Sequence, residues 1–119
     1  MIMSTVRLAI SDQHRAEVLR TLRVFMGHTT AQAGCAGFAL LQDTSTPESL
    51  TICDTWVTRE ALDEHVRSAE YRLLLAVIDL STTPPDISFD DLRHIGGLDV
   101  VQALRVAPRT ILKNDSTCP

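Results

Sequence analysis

Apolar and polar residues alternate along Ser4–Ile10: Val6, Leu8 and Ile10 are interleaved with Thr5, Arg7 and Ala9. A period of two places one set on each side of a strand. The period then changes. Leu19, Leu22, Phe25, Met26 and Thr29 recur at three- and four-residue steps, which predicts a helix from the Ser11-Asp12 cap to about Ala33 with that set facing inward. His14, Arg15, Arg20 and Arg23 fall toward solvent, and Gly34 offers a stop at which a left-handed backbone costs little. Cys35–Gln42 and Ser49–Val57 read as two strands joined by the turn-forming run Asp43-Thr44-Ser45-Thr46-Pro47-Glu48, hence an antiparallel hairpin.

Thr58 is a good N-cap for a second helix whose inner face carries Ala61, Leu62 and His65. The next apolar set, Tyr71, Leu74, Leu75 and Ile78, is out of step with the first, so Ser68 marks a kink or restart. Pro84-Pro85 ends the helix. A fourth strand is expected over Asp86–Ile95, with Ile87, Phe89 and Leu92 as its apolar members, and Gly96-Gly97 breaks it. A short last helix fits Leu98–Val106, and Pro108 onward reads as a loose tail. The order β-α-β-β-α-β is the ferredoxin-like α+β arrangement with an antiparallel sheet. Residues 1–107 are expected to form one domain and 108–119 a flexible tail.

The two middle strands modify this picture. Cys35-Ala36-Gly37-Phe38-Ala39-Leu40-Leu41 has no polar side chain, and Leu50–Val57 has one charge, Asp54. A sheet with one face in water shows cleaner alternation. These strands are expected to be covered on both faces, by helices on one and by a second copy of the chain on the other, giving a homodimer with twofold symmetry. Arg7 and Asp54 are charges inside otherwise apolar strands that should be neighbours, so a cross-strand pair between them within the dimer interface is expected, the alternative being a substrate-binding role.

Composition narrows the partners. Eleven Lys+Arg against 15 Asp+Glu give a net charge of -4, and the basic residues are scattered, which argues against nucleic acid. Three cysteines, Cys35, Cys53 and Cys118, stand far apart with no CxxC pair, so zinc-ribbon and thioredoxin-like motifs are excluded. The apolar run Leu73–Ile78 is too short for a membrane span, and no basic-then-apolar leader opens the chain. The expected location is the cytoplasm. His14, His28 and His94 lack ligand-like spacing, so no metal site is expected. Phosphate-loop, dinucleotide and nucleophile-elbow signatures are absent as well.

Four groups of residues, taken in order, resemble the antibiotic-biosynthesis-monooxygenase family over about residues 4–95. They are Gly34-Cys35-Ala36-Gly37-Phe38, Trp56, Ala61-Leu62-Asp63-Glu64-His65 with Ser68-Ala69-Glu70-Tyr71, and Leu80-Ser81 running to Pro84-Pro85. The resemblance implies a dimeric α+β barrel with a pocket in each subunit between sheet and helices. It also implies oxygenase chemistry without metal, flavin or haem, in which an electron-rich phenol or hydroquinone is deprotonated and reacts with oxygen directly. Haem-degrading relatives carry an Asn on the first strand, where this chain has Val6 beside Arg7. They carry a Trp where His65 stands and a His near Leu75. That branch is therefore disfavoured.

In this frame His65 is the expected catalytic base, or else a core histidine held by one hydrogen bond. Trp56 is either a flat wall for an aromatic substrate or a core anchor at a strand end. Tyr71 orients a substrate oxygen or fills space, and Phe38 lines the pocket wall or belongs to the core. Two functions follow: a cofactor-independent monooxygenase-like enzyme acting on a small aromatic or quinol-type compound, or a non-catalytic dimeric small-molecule-binding protein of the same fold.

Overall fold

A computed structural model describes residues 1–106. Four strands and four helices follow one another as β1 (Ile2–Ala9), α1 (Asp12–Ala31), β2 (Cys35–Gln42), β3 (Ser49–Trp56), α2 (Arg59–Arg67), α3 (Tyr71–Ile78), β4 (Asp86–Asp91) and α4 (Leu98–Val106). The strands form one antiparallel sheet in the order β2-β3-β1-β4. This is the expected ferredoxin-like α+β topology, with the sheet open in the single chain. The expected tail lies outside the described residues.

The period-two pattern of β3 is the clearest in the molecule. Leu50, Ile52, Asp54 and Trp56 are buried while the residues between them are half-exposed. The register pairs Val6 with Ile52 and Leu8 with Leu50, so β1 and β3 present one continuous apolar surface to the helices. α1 answers with Val18, Leu22, Phe25 and Thr29, and α3 with Tyr71, Leu74 and Val77. Together these residues make the core. The other sheet face carries Thr5, Arg7, Ala39, Leu41, Thr51 and Cys53 by strand parity.

Several expectations are corrected. α1 ends at Ala31, and Met26 points outward at 37% exposure, because the buried stripe follows Leu22, Phe25 and Thr29. The break at Ser68 divides the second helical region into two helices, and Leu75 is exposed while Val77 is buried. β1 starts at Ile2, and β4 stops at Asp91 instead of Ile95. The physical reason is pairing: Asp91 is opposite Ile2, and the Leu92 amide reaches the Met1 carbonyl at 2.7 Å. The expected Arg7–Asp54 pair does not form. Arg7 lies opposite Thr51 and Asp54 opposite Ser4. Odd and even positions face opposite sides, so Arg7 turns to the open face and pairs loosely with Asp86 at 3.7 Å, whereas Asp54 turns to the core.

Candidate functional site

The interface of β2 and β3 with α1, α2 and α3 gathers four of the chain's five aromatic side chains, Phe25, Phe38, Trp56 and Tyr71, around one histidine. Trp56 ends β3 on the helix-facing side and is fully buried. Two residues on, the Thr58 hydroxyl accepts the Ala61 amide at 3.1 Å and starts α2. Six residues into that helix His65 lies back over the strand end. Its ring stacks on the Trp56 indole, with centroids 4.5 Å apart and planes at 28°. Tyr71, first residue of α3, meets His65 edge-on at 5.2 Å and 87°. Phe38 does not touch this pair directly in the ring geometry. Phe25 of α1 links it, edge-on to Phe38 at 6.0 Å and to Tyr71 at 6.1 Å, and 5.5 Å from His65. The four residues singled out from sequence thus share one cluster, with Phe25 at its centre.

The polar groups of the cluster are few and confined. The Trp56 indole N–H donates to the Asp54 carboxylate at 2.5 Å. Asp54 is 2% exposed. Burial raises its pKa to about 6, although the indole hydrogen bond pulls the other way. His65 Nδ1 lies 2.6 Å from Gln32 Oε1, so Nδ1 carries the proton and donates it to the amide oxygen. That leaves the Nε2 lone pair buried with no partner. Burial lowers the His65 pKa to about 4, which keeps the ring neutral. Tyr71 is raised, by burial first and by the nearby Asp54 charge second.

Gln32 is held in place by a tight turn. Gly34 has φ +86°, and a Cβ there would lie 2.5 Å from the Ala61 side chain. Its carbonyl accepts the Val57 amide at 2.9 Å. Only a glycine lets the end of α1 approach α2 this closely, and the approach brings Gln32 to His65.

The implied pocket between sheet and helices is filled at its centre by these side chains. Open space lies on the two flanks of α2. One groove, about 510 Å³, is lined by Gln32, Gly34, Thr58, Glu60, Ala61 and His65 among others, and so borders the cluster. A second, about 670 Å³, runs between α2 and the end of the sheet, with Ile2, Leu62, Val66 and Phe89 as its apolar lining. Among the described residues no three His, Cys, Asp or Glu side chains are grouped as metal ligands. His14 instead meets the Ser11 hydroxyl at 3.2 Å.

Sequence reasoning missed Phe25 and Gln32 as members of the site, and gave Asp54 a binding role only as the alternative to a pair with Arg7. Asp54 had a usable signal, since it stands two residues before Trp56 and must share its face. Phe25 was legible only as core. Gln32 had no signal, because its contact depends on the Gly34 turn.

A helix-backed, four-stranded antiparallel sheet with an aromatic helix–sheet interface defines a ferredoxin-like α+β domain. The profile of one family within that class, antibiotic biosynthesis monooxygenase, matches residues 1–76. The chain belongs to that family. Solved structures agree on the fold. A conserved protein from Methanosarcina mazei superposes with a TM-score of 0.72 at 18% identity, covering 77% of this chain and 92% of that one. A Mycobacterium tuberculosis protein gives 0.70 at 23%, covering 80% and 98%. A structure named as an antibiotic biosynthesis monooxygenase gives 0.71 at 20%, covering 79% and 100%. No curated protein matches this chain. No helix among the described residues is long and apolar enough to cross a membrane.

Proposed function

We propose that the chain is a cofactor-independent monooxygenase-like enzyme acting on a small aromatic or quinol-type compound at the Asp54–Trp56–His65–Tyr71 cluster. The observation that carries this reading is the buried His65 Nε2 lone pair, left without a partner between two aromatic rings. A phenol hydroxyl placed there satisfies it. Trp56 backs the His65 ring on its stacked face, Tyr71 orients a substrate oxygen, and Phe38 closes the wall through Phe25. Access runs along the groove beside Gln32 and His65.

The base is reassigned. A general base works best with a pKa near the working pH, and His65, at about 4, is weak. Asp54, at about 6, is ionised at neutral pH yet basic enough to take a proton. Asp54 therefore removes the proton, while His65 accepts a hydrogen bond that positions the substrate. For a methylene between aromatic rings, the carbanion gives electrons to O2. One oxygen atom enters as a carbonyl, and the other leaves as water with the two hydrogens. The acting unit is a homodimer closed over the open sheet face, and Leu41, 53% exposed there in the single chain, supports that cover.

The second reading, a non-catalytic dimeric binding protein, is favoured by one observation: the cluster's own side chains fill its centre, and Gln32 already holds His65. Oxygen uptake by purified, metal-free protein against hydroquinones, anthrones and catechols separates the two. The enzyme reading expects uptake that falls at least ~100-fold in Asp54→Asn and persists, with raised KM, in His65→Gln. No uptake with any compound supports the binding protein.

A further inference from the structure

The charges of α2 are sorted onto its two flanks. Arg59 and Arg67, the two arginines of the helix, line the groove toward the end of the sheet. Asp63 holds Arg59 there at 2.9 Å. Glu60 and Glu64 stand one helical turn apart, and both are exposed. They line the other groove, which His65 and Gln32 border. Among the described residues they are the only charged members of that lining.

Two features oppose this negative field, and neither cancels it. The first is Arg67, whose guanidinium lies 3.8 Å from the Glu64 carboxylate. Both side chains are more than 70% exposed, and a pair so open to water holds weakly. Glu60 has no ion-pair partner among the described residues. The second is the positive end of the α2 dipole. It amounts to about half a unit charge, and Thr58 already satisfies the Ala61 amide. Two carboxylates outweigh it. The groove's lining also makes a complementary demand. His65 is 2% exposed, belongs to that lining, and leaves Nε2 without a partner. With Nδ1 turned to Gln32, Nε2 only accepts.

We propose that this site selects cationic substrates: phenols or hydroquinones that bear a protonated amine, with a ring hydroxyl at His65 and the ammonium group between Glu60 and Glu64. The inference rests on the function proposed above and adds the charge class of its substrate. A compound in this groove must donate a hydrogen bond at one end and sit beside two negative charges at the other. A phenol with a carboxylate or phosphate substituent meets the first demand and is repelled by the second. A phenol with an amine on a short side chain meets both. The groove, about 510 Å³, lies within the usual range for small-ligand sites.

Three probes that share one ring test this: hydroquinone carrying an aminoethyl, an ethyl or a carboxymethyl group. Binding to the full-length chain is measured by titration calorimetry under argon, and turnover separately by oxygen uptake. The aminoethyl compound should bind at least ~10-fold tighter than the carboxymethyl compound, with the ethyl compound between them. The gap should shrink below ~3-fold in Glu60→Gln/Glu64→Gln and narrow at high salt. Both glutamates are exposed, so the double variant should fold as the parent does. A gap that survives the double substitution overturns the charge selection, and so does a carboxymethyl compound that binds as tightly as the aminoethyl one. Charge-selective binding without oxygen uptake leaves the inference standing and removes the enzyme. Oxygen uptake without charge preference does the reverse. No binding by any of the three overturns the inference, whatever the uptake from other compounds.

Discussion

The helix–sheet cluster and the C-terminal segment from β4 to α4 are built from similar amino acids and end in opposite states. Trp56, Phe25, Ile52 and Leu22 are fully buried, whereas Phe89 is 48%, Ile95 77% and Leu98 69% exposed. Side-chain type does not separate the two regions. The cluster has cover on both sides because α1 and α3 carry stripes at helical spacing that meet the period-two face of β1 and β3. β4 is an edge strand beyond the reach of those helices, and α4 departs from it. Apolar residues stabilise only what they are covered against, and for β4 and α4 the single chain supplies too little cover.

Deleting apolar bulk in each region should therefore have different consequences. Trp56→Ala is expected to cost ~3–5 kcal/mol in denaturant unfolding, the range for emptying a buried aromatic site. It also strips Asp54 of its hydrogen-bond donor. Leu104→Ala in α4 should change the unfolding of the dilute chain by no more than ~0.5 kcal/mol. Equal losses at both positions under dilute conditions would erase the distinction between the regions.

Gly34→Ala ranks next. A left-handed φ of +86° and a Cβ 2.5 Å from that of Ala61 together predict ~1–3 kcal/mol of destabilisation. Gln32 should be pushed from His65 as well. The His65 imidazole resonances in an NMR pH titration should move in this variant. A stability loss without any change at His65 would mean that the turn does not position Gln32.

The two titrating groups of the cluster pull in opposite directions. Asp54, raised to about 6 when folded, binds more protons in the native state between ~4 and ~6. It adds stability at low pH that is lost as pH rises through that window. His65, lowered to about 4, binds more protons when unfolded, so its contribution is lost as pH falls from ~6.5 to ~4. In the parent protein the two slopes oppose each other. Asp54→Asn leaves the histidine alone, and stability should fall on acidification by ~2–3 kcal/mol. His65→Gln leaves the aspartate alone, and stability should rise on acidification by a similar order. Chemical denaturation at pH 4, 5 and 6.5 reads both. Parallel slopes in the two variants would show that one of these groups is not buried as described.

Most of the fold was legible because the spacing signals agree with one another. β2, the α2 start at Thr58 and the break at Ser68 all fall where caps, periods and breakers place them. The end of β4 was not legible, because it falls where the pairing with β1 stops, at Ile2 opposite Asp91, and not at a break in its own residues. Within the site, Trp56 closes β3, His65 lies in the last turn of α2 and Tyr71 opens α3, and the three rings meet there. Asp54 was misplaced because pairing was argued from strand adjacency alone. Parity would have set it beside Trp56, two positions along the same face.

That misplacement yields the smallest effect and a sharp test of the comparison. Charge partners in a buried interface couple strongly, and breaking one side typically costs ~3–5 kcal/mol. The geometry gives Arg7 instead a loose contact with Asp86, at 3.7 Å with both side chains more than 60% exposed, and such pairs contribute ~0–1 kcal/mol. Arg7→Gln should therefore change the unfolding of the dilute chain by less than ~0.5 kcal/mol, and the double-mutant cycle of Arg7→Gln with Asp54→Asn should show coupling below ~0.5 kcal/mol. Arg7 lies on the open sheet face that the proposed dimer covers. Repeating the cycle at high protein concentration then separates two sources of coupling. A term that is absent in dilute solution and present in concentrated solution belongs to the assembled dimer. A term above ~1 kcal/mol at every concentration would place Arg7 and Asp54 in direct contact within one chain and overturn the register drawn here.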